Sequence, residues 1–440
     1  MECGKVVAGK WTSVAGKWTS EDKHMVAKSG LWILLVAGLI LPEVARAQER
    51  PTVIRATTLL DGKGGVTRNV SIVVQGTRIT RIGRADRAAQ GTTYDLKGLT
   101  VMPGWIDTHV HIDAHFDPNG KSHDAALSRD ETPEQTMLYA VENAYNVLMA
   151  GFTTVQSVGS PGDRDLRNAI ARGTIPGPRL LTSLRPVNET TGTPEQIRAF
   201  VRQVVADGAD LIKIFATKSI REGGGPILTQ AQVDAACGEA RSLGKRAIVH
   251  AQGPEGARAA VLAGCTSVEH GYRLTDEVLD LMAQHGTYYD PNFGLLLHNY
   301  IENKEKFLGI GNFNEEGFEY MQKGIPIGID TFKRAMNRKI KMVFGTDVGA
   351  GGLGRNFEEF IYRIRDGGQP PMEAIISATS RAAESIRMQD KIGTLAPSME
   401  ADIIAVDGNP LDDVTAFRRV VFVMKGGKVY RNVAPGRTSN

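Results

Sequence analysis

Between residues 51 and 102 the apolar positions come in short runs. Val70, Ile72 and Val74 alternate with Ser71 and Val73, and Gly76 turns the chain toward Ile79 and Ile82. A period of two between turn residues predicts short strands. From residue 103 the texture changes to compact apolar runs separated by helical segments. The predicted strands are Trp105–His111, Phe152–Val158, Arg179–Ser183, Asp210–Ala216, Arg246–Ala251, Thr266–His270, Gly286–Asp290 and Lys341–Asp347. Helix starts are marked between them. Thr132-Pro133-Glu134-Gln135 and Thr193-Pro194-Glu195-Gln196 each pair a capping Thr with Pro in the first turn and Gln at the capping-box position, and Thr229 with Gln232 repeats the device. Glu255 and Asp276 read as acidic helix starts. Eight strands alternating with helices across residues 103–391 predict an α/β fold, a (β/α)8 TIM barrel. The rival, a doubly wound open sheet, lacks its G-x-G-x-x-G after the first strand. After Gly393 the chain returns to strands, at Asp402–Val406, Val420–Lys425 and Lys428–Tyr430. Residues 48–102 and 392–436 are therefore expected to pair as a small β-sandwich domain split around the barrel.

The first 47 residues stand apart. Residues 7–13 (V-A-G-K-W-T-S) repeat at once as residues 14–20, and His24-Met25 has the look of a vector junction. Residues 1–24 read as vector-derived sequence. Residues 25–47 read as a signal peptide, with Lys28 as a positive start, an apolar run from Leu31 to Leu41 and Ala45-Arg46-Ala47 as the cleavage site. That run is short of the ~20 residues a membrane span needs. The expectation is export, to the periplasm or medium, with no membrane span in the mature protein.

Composition narrows the class. With 42% hydrophobic residues in 440, the chain can bury a large core. Its 52 basic and 49 acidic residues nearly cancel, which gives no reason to expect a nucleic-acid partner. The cysteines Cys3, Cys237 and Cys265 form no C-x-x-C pair and are too few for a disulfide framework. Cys237, in a helical run, and Cys265, at a strand start, are expected to be inert small core residues.

The chemistry is concentrated at strand ends. His109 and His111 lie two apart on one strand, so both imidazoles leave the same face and can reach one metal ion. Lys213 (L-I-K-I-F), His250 (A-I-V-H), His270 (V-E-H-G) and Asp347 (V-F-G-T-D) fall at or near the C-terminal ends of later strands, the end of a barrel that carries active sites. An ammonium has no lone pair for a metal. Burial, however, leaves a lysine amine nucleophilic enough to add carbon dioxide, and the resulting carbamate acts as an elongated carboxylate.

The run V-M-P-G-W-I-D-T-H-V-H (101–111), followed in order by Lys213, His250, His270 and Asp347, resembles the amidohydrolase superfamily. So does the tail I-G-T-L-A-P-S-M-E-A-D-I-I-A-V-D-G-N-P-L-D-D-V (392–414), apart from Ser398-Met399-Glu400 where the family usually has Gly-Lys. The resemblance implies two divalent metal ions, usually Zn2+. His109, His111 and Asp347 would hold one and His250 and His270 the other, with carboxylated Lys213 and a hydroxide bridging them. It also implies a homo-oligomer, an octamer being one form. Asp347 and His270 are the candidate catalytic residues, Asp347 passing a proton from the attacking hydroxide to the leaving nitrogen.

Within the superfamily the chain is similar to the exported prolidase-like and imidazolonepropionase-like branch, which includes metallo-carboxypeptidases. Residues 109–116 and 211–226 resemble hydrolases that split ochratoxin A into ochratoxin α and phenylalanine. Gln156-Ser157 stands where many relatives carry Arg-Asp. The expected partner is a small amide or peptide cut at the bond to a C-terminal amino acid; cyclic-amide hydrolysis, Xaa-Pro dipeptide cleavage and a non-catalytic barrel are the alternatives. Candidate substrate residues are His115 and His123 after the first strand, Lys218 and Arg221 after the fourth, and Asn292 and His298 after the seventh. Each reads equally as a solvated loop residue.

Overall fold

The computed structural model describes residues 50–84, 92–123 and 131–434. The vector-derived and signal-peptide readings lie outside those residues. No described helix is long and apolar enough to cross a membrane.

Four N-terminal strands, β1 (Thr52–Leu60), β2 (Val66–Gln75), β3 (Arg78–Arg84) and β4 (Thr92–Pro103), open the chain. Then β5 (Trp105–Val110), β6 (Phe152–Ser157), β7 (Arg179–Thr182), β8 (Leu211–Phe215), β9 (Arg246–Ala251), β10 (Ser267–His270) and β11 (Tyr288–Asp290) alternate with helices. The first six of those helices are α1 (Pro133–Met149), α2 (Asp163–Ala171), α3 (Pro194–Ala206), α4 (Gln230–Ser242), α5 (Pro254–Leu262) and α6 (Asp276–His285). All three predicted capping boxes form, at Thr132, Thr193 and Thr229. Three strands, β12 (Ile403–Asp407), β13 (Val420–Lys425) and β14 (Lys428–Asn432), close the chain.

The terminal segments meet in one sheet, ordered β14-β13-β12-β4-β1-β2-β3. The join is antiparallel, with Ile403 opposite Pro103 and Asp407 opposite Leu99. The expected sandwich is replaced by this single sheet. Among the described residues its far edge bends back to the segment before β12: Ile79 N donates to Met399 O (2.9 Å) and Ala401 N to Thr77 O (2.7 Å). One face encloses Ile54, Val70, Ile72, Leu96, Val101, Phe422 and Met424 in a core that Leu395 and Ala401 complete. The other face packs Met102, Ile404 and Val423 with Trp105, Phe152, Phe360 and Phe417 of the α/β part.

The α/β part differs from the prediction in one respect. Its strands form two parallel sheets, β5-β6-β7 and β11-β10-β9-β8, rather than one continuous closed sheet of eight. Single hydrogen bonds cross both seams. At one, Val187 N donates to Lys213 O and Phe215 N to Val187 O, both at 2.8 Å. At the other, the predicted eighth strand Lys341–Asp347 is not a strand. It bonds residue by residue, Val343 N to Tyr289 O (2.9 Å) on one side and Thr108 N to Phe344 O (2.8 Å) on the other. Phe344 N turns away to Ser377 O, and Asp347 takes φ 50°, which breaks the regular ladder. Gly345 is obligatory here, because a Cβ would lie 1.9 Å from Asp290 Oδ2.

The cysteines also differ. Cys237 on α4 and Cys265, just ahead of β10, form a disulfide with a Cα–Cα distance of 5.4 Å, rather than standing as free core thiols. The pairing bridges 28 residues and has no sequence motif, since it is made by the packing of α4 beside the loop that enters β10. Closing a loop of that length is worth about 3–4 kcal/mol in the chain-entropy estimate. The Cys237→Ala/Cys265→Ala double variant is therefore expected to unfold at clearly lower denaturant than the unsubstituted protein. An unchanged midpoint, or two free thiols titrating in the unreduced denatured protein, would contradict the bond.

Candidate metal centre

Each candidate ligand is delivered by its strand. The period of two along β5 sends His109 and His111 the same way, with ring centroids 5.7 Å apart. Lys213 rises from the middle of β8, and His250 sits one residue before the end of β9. Strand alternation would send Glu269 and His270 to opposite faces, but His270 has φ 70° and the chain kinks there. As a result both carboxylate and imidazole face His109. All six residues, His109, His111, Lys213, His250, His270 and Asp347, line one cavity of about 430 Å³.

Asp347 is the hub. Its Oδ1 lies 3.1 Å from His109 Nε2 and 2.9 Å from His111 Nε2, and its Oδ2 lies 3.9 Å from His270 Nε2. Lys213 Nζ lies 3.1 Å from His109 Nε2. His250 and His270 meet edge to face at 4.5 Å. Except for His111, which is partly exposed, the set is buried or nearly so.

Burial governs the protonation states. It pushes His250 down to about 3, helped by the charge on Lys213, and holds His270 well below the usual imidazole range, helped by His250. It also lowers Lys213, against the pull of Glu269, Asp347 and Asp290. For Asp347 burial works upward but is outweighed by His109, through its charge and a hydrogen bond, and by His111, so the carboxyl sits well below its ordinary range. His109 is the exception. Burial and Lys213 push it down, yet Asp347 and Glu269 prevail and raise it to about 9. Two carboxylates that draw a proton onto His109 make the same field that draws a cation.

Neutral imidazoles at His250 and His270 and an ionised carboxylate at Asp347 are states a divalent cation needs, and the proton on His109 is one a cation would displace. His109, His111 and Asp347 offer ligand atoms within 4.8 Å of one another. Nδ1 of His270 is buried with no hydrogen-bond partner, so it is uncommitted. The residues present fit a metal centre.

Several residues that support the centre were not singled out from the sequence. Glu269 accepts from His109 Nδ1 at 2.9 Å, which fixes the tautomer and leaves Nε2 facing the cavity. Asp107 accepts from His109 N, from Thr346 and, at 2.7 Å, from Asn356 Nδ2, locking the first strand against the 346–356 segment. Both acids sit within two residues of a ligand histidine, and that proximity was the available signal. Gln156 is used internally. It donates to Thr108 O (2.8 Å) and accepts from Arg246 Nη2 (2.7 Å), tying β6 to β5 and β9.

The substrate candidates divide. Lys218 and Arg221 line the cavity. Arg221 is held there, its Nε donating to Asn312 Oδ1 (2.6 Å) and its guanidinium lying 3.9 Å from the Phe313 ring centroid. The other four are not among the cavity's lining residues. Asn292 is fully buried and bonds Asp290 Oδ1 (3.0 Å) and His270 N (3.3 Å), so it supports the His270 kink. His298 stacks on Tyr362 at 4.3 Å, with Nδ1 donating to Gly294 O. His115 and His123 turn toward Glu131 instead. A residue just after a strand faces the site only if the loop bends inward, which spacing does not encode.

Comparison with known proteins places this architecture. Residues 100–430 match the amidohydrolase family. The chain belongs to the amidohydrolase family. It is similar to the ochratoxinase of Aspergillus niger, 25% identical over 436 residues and covering 88% of each chain. It is also similar to the imidazolonepropionase of Rhodococcus jostii (strain RHA1), 25% identical over 382 residues, covering 80% of this chain and 85% of that one. Among solved structures it resembles a Xaa-Pro dipeptidase with methionine bound in the active site. That likeness has 33% identity and a TM-score of 0.79, over 87% of this chain and all of the other. As a family member with such relatives, this amidohydrolase is a hydrolase acting on carbon–nitrogen bonds.

Proposed function

We propose that the protein is an exported, binuclear metal-dependent amide hydrolase that cuts the bond to a C-terminal amino acid. The observation that carries this reading is the convergence of His109, His111, Lys213, His250, His270 and Asp347 on one cavity. In this reading the two parallel sheets with their hydrogen-bonded seams constitute a (β/α)8 barrel, spanning residues 103–391. The residues on either side supply the split β-domain. His109, His111 and Asp347 would hold one divalent ion, most suitably Zn2+, and His250 and His270 a second. Lys213 Nζ would add carbon dioxide with loss of a proton, and the carbamate would offer its oxygens to both sites. Bound there, the two ions supply a hydroxide at neutral pH and polarise the scissile carbonyl.

The chain's own groups do the rest. Asp347 is ionised and central, so it accepts the proton released during attack and delivers it to the leaving nitrogen, with His270 beside it. Glu269 keeps the His109 lone pair directed inward. The Cys237–Cys265 bond supports export, because disulfides persist in oxidising compartments.

The substrate class rests on the relatives and on the cavity wall. Ochratoxin A, which ends in phenylalanine, and Xaa-Pro dipeptides both present a free carboxylate on the leaving amine. The 33% identity to a Xaa-Pro dipeptidase favours dipeptides as a second substrate reading. A buried carboxylate needs a cationic partner, since an unpaired charge costs several kcal/mol. Besides Lys213, Lys218 and Arg221 are the lysine and arginine side chains lining the cavity. Methyl-esterifying the substrate carboxylate is expected to lower kcat/KM at least tenfold, ~1.4 kcal/mol. Equal cleavage of ester and acid would replace this reading with a less selective amidase.

A further inference from the structure

Outside the catalytic cavity, the loop after β5 carries a second group of metal-binding side chains. Residues 115–123 fold back as a small hairpin, with His123 N donating to His115 O (2.9 Å) and Phe116 bridging Ser122. This sets the two histidine rings face to face at 4.6 Å, with Tyr139 of α1 stacked on the other side of His115 at 4.0 Å. Glu131, immediately before the α1 cap, closes the group. Its Oε1 lies 2.8 Å from His115 Nε2 and its Oε2 lies 3.2 Å from His123 Nδ1.

The polarity of these atoms is the telling feature. His115 Nδ1–H donates to the Asp113 carbonyl at 2.7 Å, which fixes the tautomer and leaves a lone pair on Nε2. That lone pair is aimed at a carboxylate oxygen, acceptor against acceptor. His115 Nε2, His123 Nδ1 and Glu131 Oε2 are all buried and meet only one another's residues. The side chain of His115 is 4% exposed and that of Glu131 5%. Three such atoms within 4.8 Å need protons or a cation between them. Protons would serve the two ring contacts with Glu131 one at a time. A cation would satisfy all three.

We propose that His115, His123 and Glu131 hold a divalent transition-metal ion, zinc fitting best. Two imidazole nitrogens and a carboxylate are a zinc donor set, and a tetrahedral ion separates neighbouring ligand atoms by roughly 3.3 Å. The two contacts to Glu131, at 2.8 and 3.2 Å, need to open by only tenths of an ångström, and all three atoms lie within 4.8 Å of one another. The outer partners are already in place: the Asp113 carbonyl on His115, and Thr136 Oγ1 donating to Glu131 Oε1 at 2.9 Å. A separate cavity of about 330 Å³, lined by His123 and Glu131 with Asp113 and Asp163, offers an entry path and room for a water as fourth ligand. The ion would pin the loop that follows the His109–His111 strand to the start of α1.

The test is metal content per chain. Full-length protein, loaded with Zn2+ and dialysed exhaustively, is compared with Glu131→Gln and His123→Ala by elemental analysis, folding being followed by circular dichroism. Each variant is expected to hold one equivalent fewer than the unsubstituted protein and to keep the remainder. Equal content in all three would overturn the proposal. If either variant fails to fold, zinc-edge anomalous scattering from crystals of the unsubstituted protein decides alone. A peak among His115, His123 and Glu131 supports the site, and none there refutes it, whatever the catalytic cavity holds.

Discussion

Replacing Lys213 with alanine is expected to empty the catalytic cavity of metal and abolish turnover. The side chain is wholly buried, with its amine 3.1 Å from His109 Nε2 and the carboxylates of Glu269, Asp347 and Asp290 near enough to oppose the effect of burial on its charge. A methyl group in its place offers no oxygen to join two ions, and the remaining histidines hold them only separately. Elemental analysis should show two equivalents fewer than in the unsubstituted protein. Short carboxylic acids added to the variant are expected to restore part of both metal and activity, by standing in for the missing carbamate. A Lys213→Ala protein with full metal content and full turnover would show that the lysine is only a packing residue.

Asp347→Asn is expected to lower turnover by ~10²–10⁴, the usual range for a general acid–base group, while leaving the fold intact. Size is kept, and asparagine tolerates the left-handed backbone that Asp347 adopts at φ 50°. What is lost is the charge that faces three histidines and the site that carries the proton to the leaving nitrogen. Steady-state kinetics beside a thermal melt separates the two effects. Near-native turnover would mean another group moves the proton. A collapsed melting temperature would mean that Asp347 is chiefly structural.

Local signals in the sequence carried most of the architecture. The three Thr-x-x-Gln boxes mark helix starts because both partners lie within four residues, and seven of the eight predicted barrel strands appear within two residues of their expected bounds. What failed depends on groups far apart in the chain. Lys341–Asp347 has a strand's composition, but its partners change from Tyr289 to Thr108 within a few residues, and no local pattern records that. The disulfide joins positions 28 apart that only packing brings together. The ligand candidates were legible because parallel strands alternating with helices send their C-terminal ends to one place. The loop residues were not, since Asn292 turns under His270, while His115 and His123 fold back on Glu131. Glu269 was hidden by strand alternation, which φ 70° at His270 overrides.

The central claim is that Lys213 works as a carbamate joining two metal sites, and carbon NMR tests it most directly. Protein equilibrated with 13C-bicarbonate and loaded with Zn2+ is predicted to show one protein-bound carbamate resonance per chain. That resonance should be absent from Lys213→Ala, and turnover should follow its occupancy. An active, metal-loaded protein with no such resonance would contradict the account.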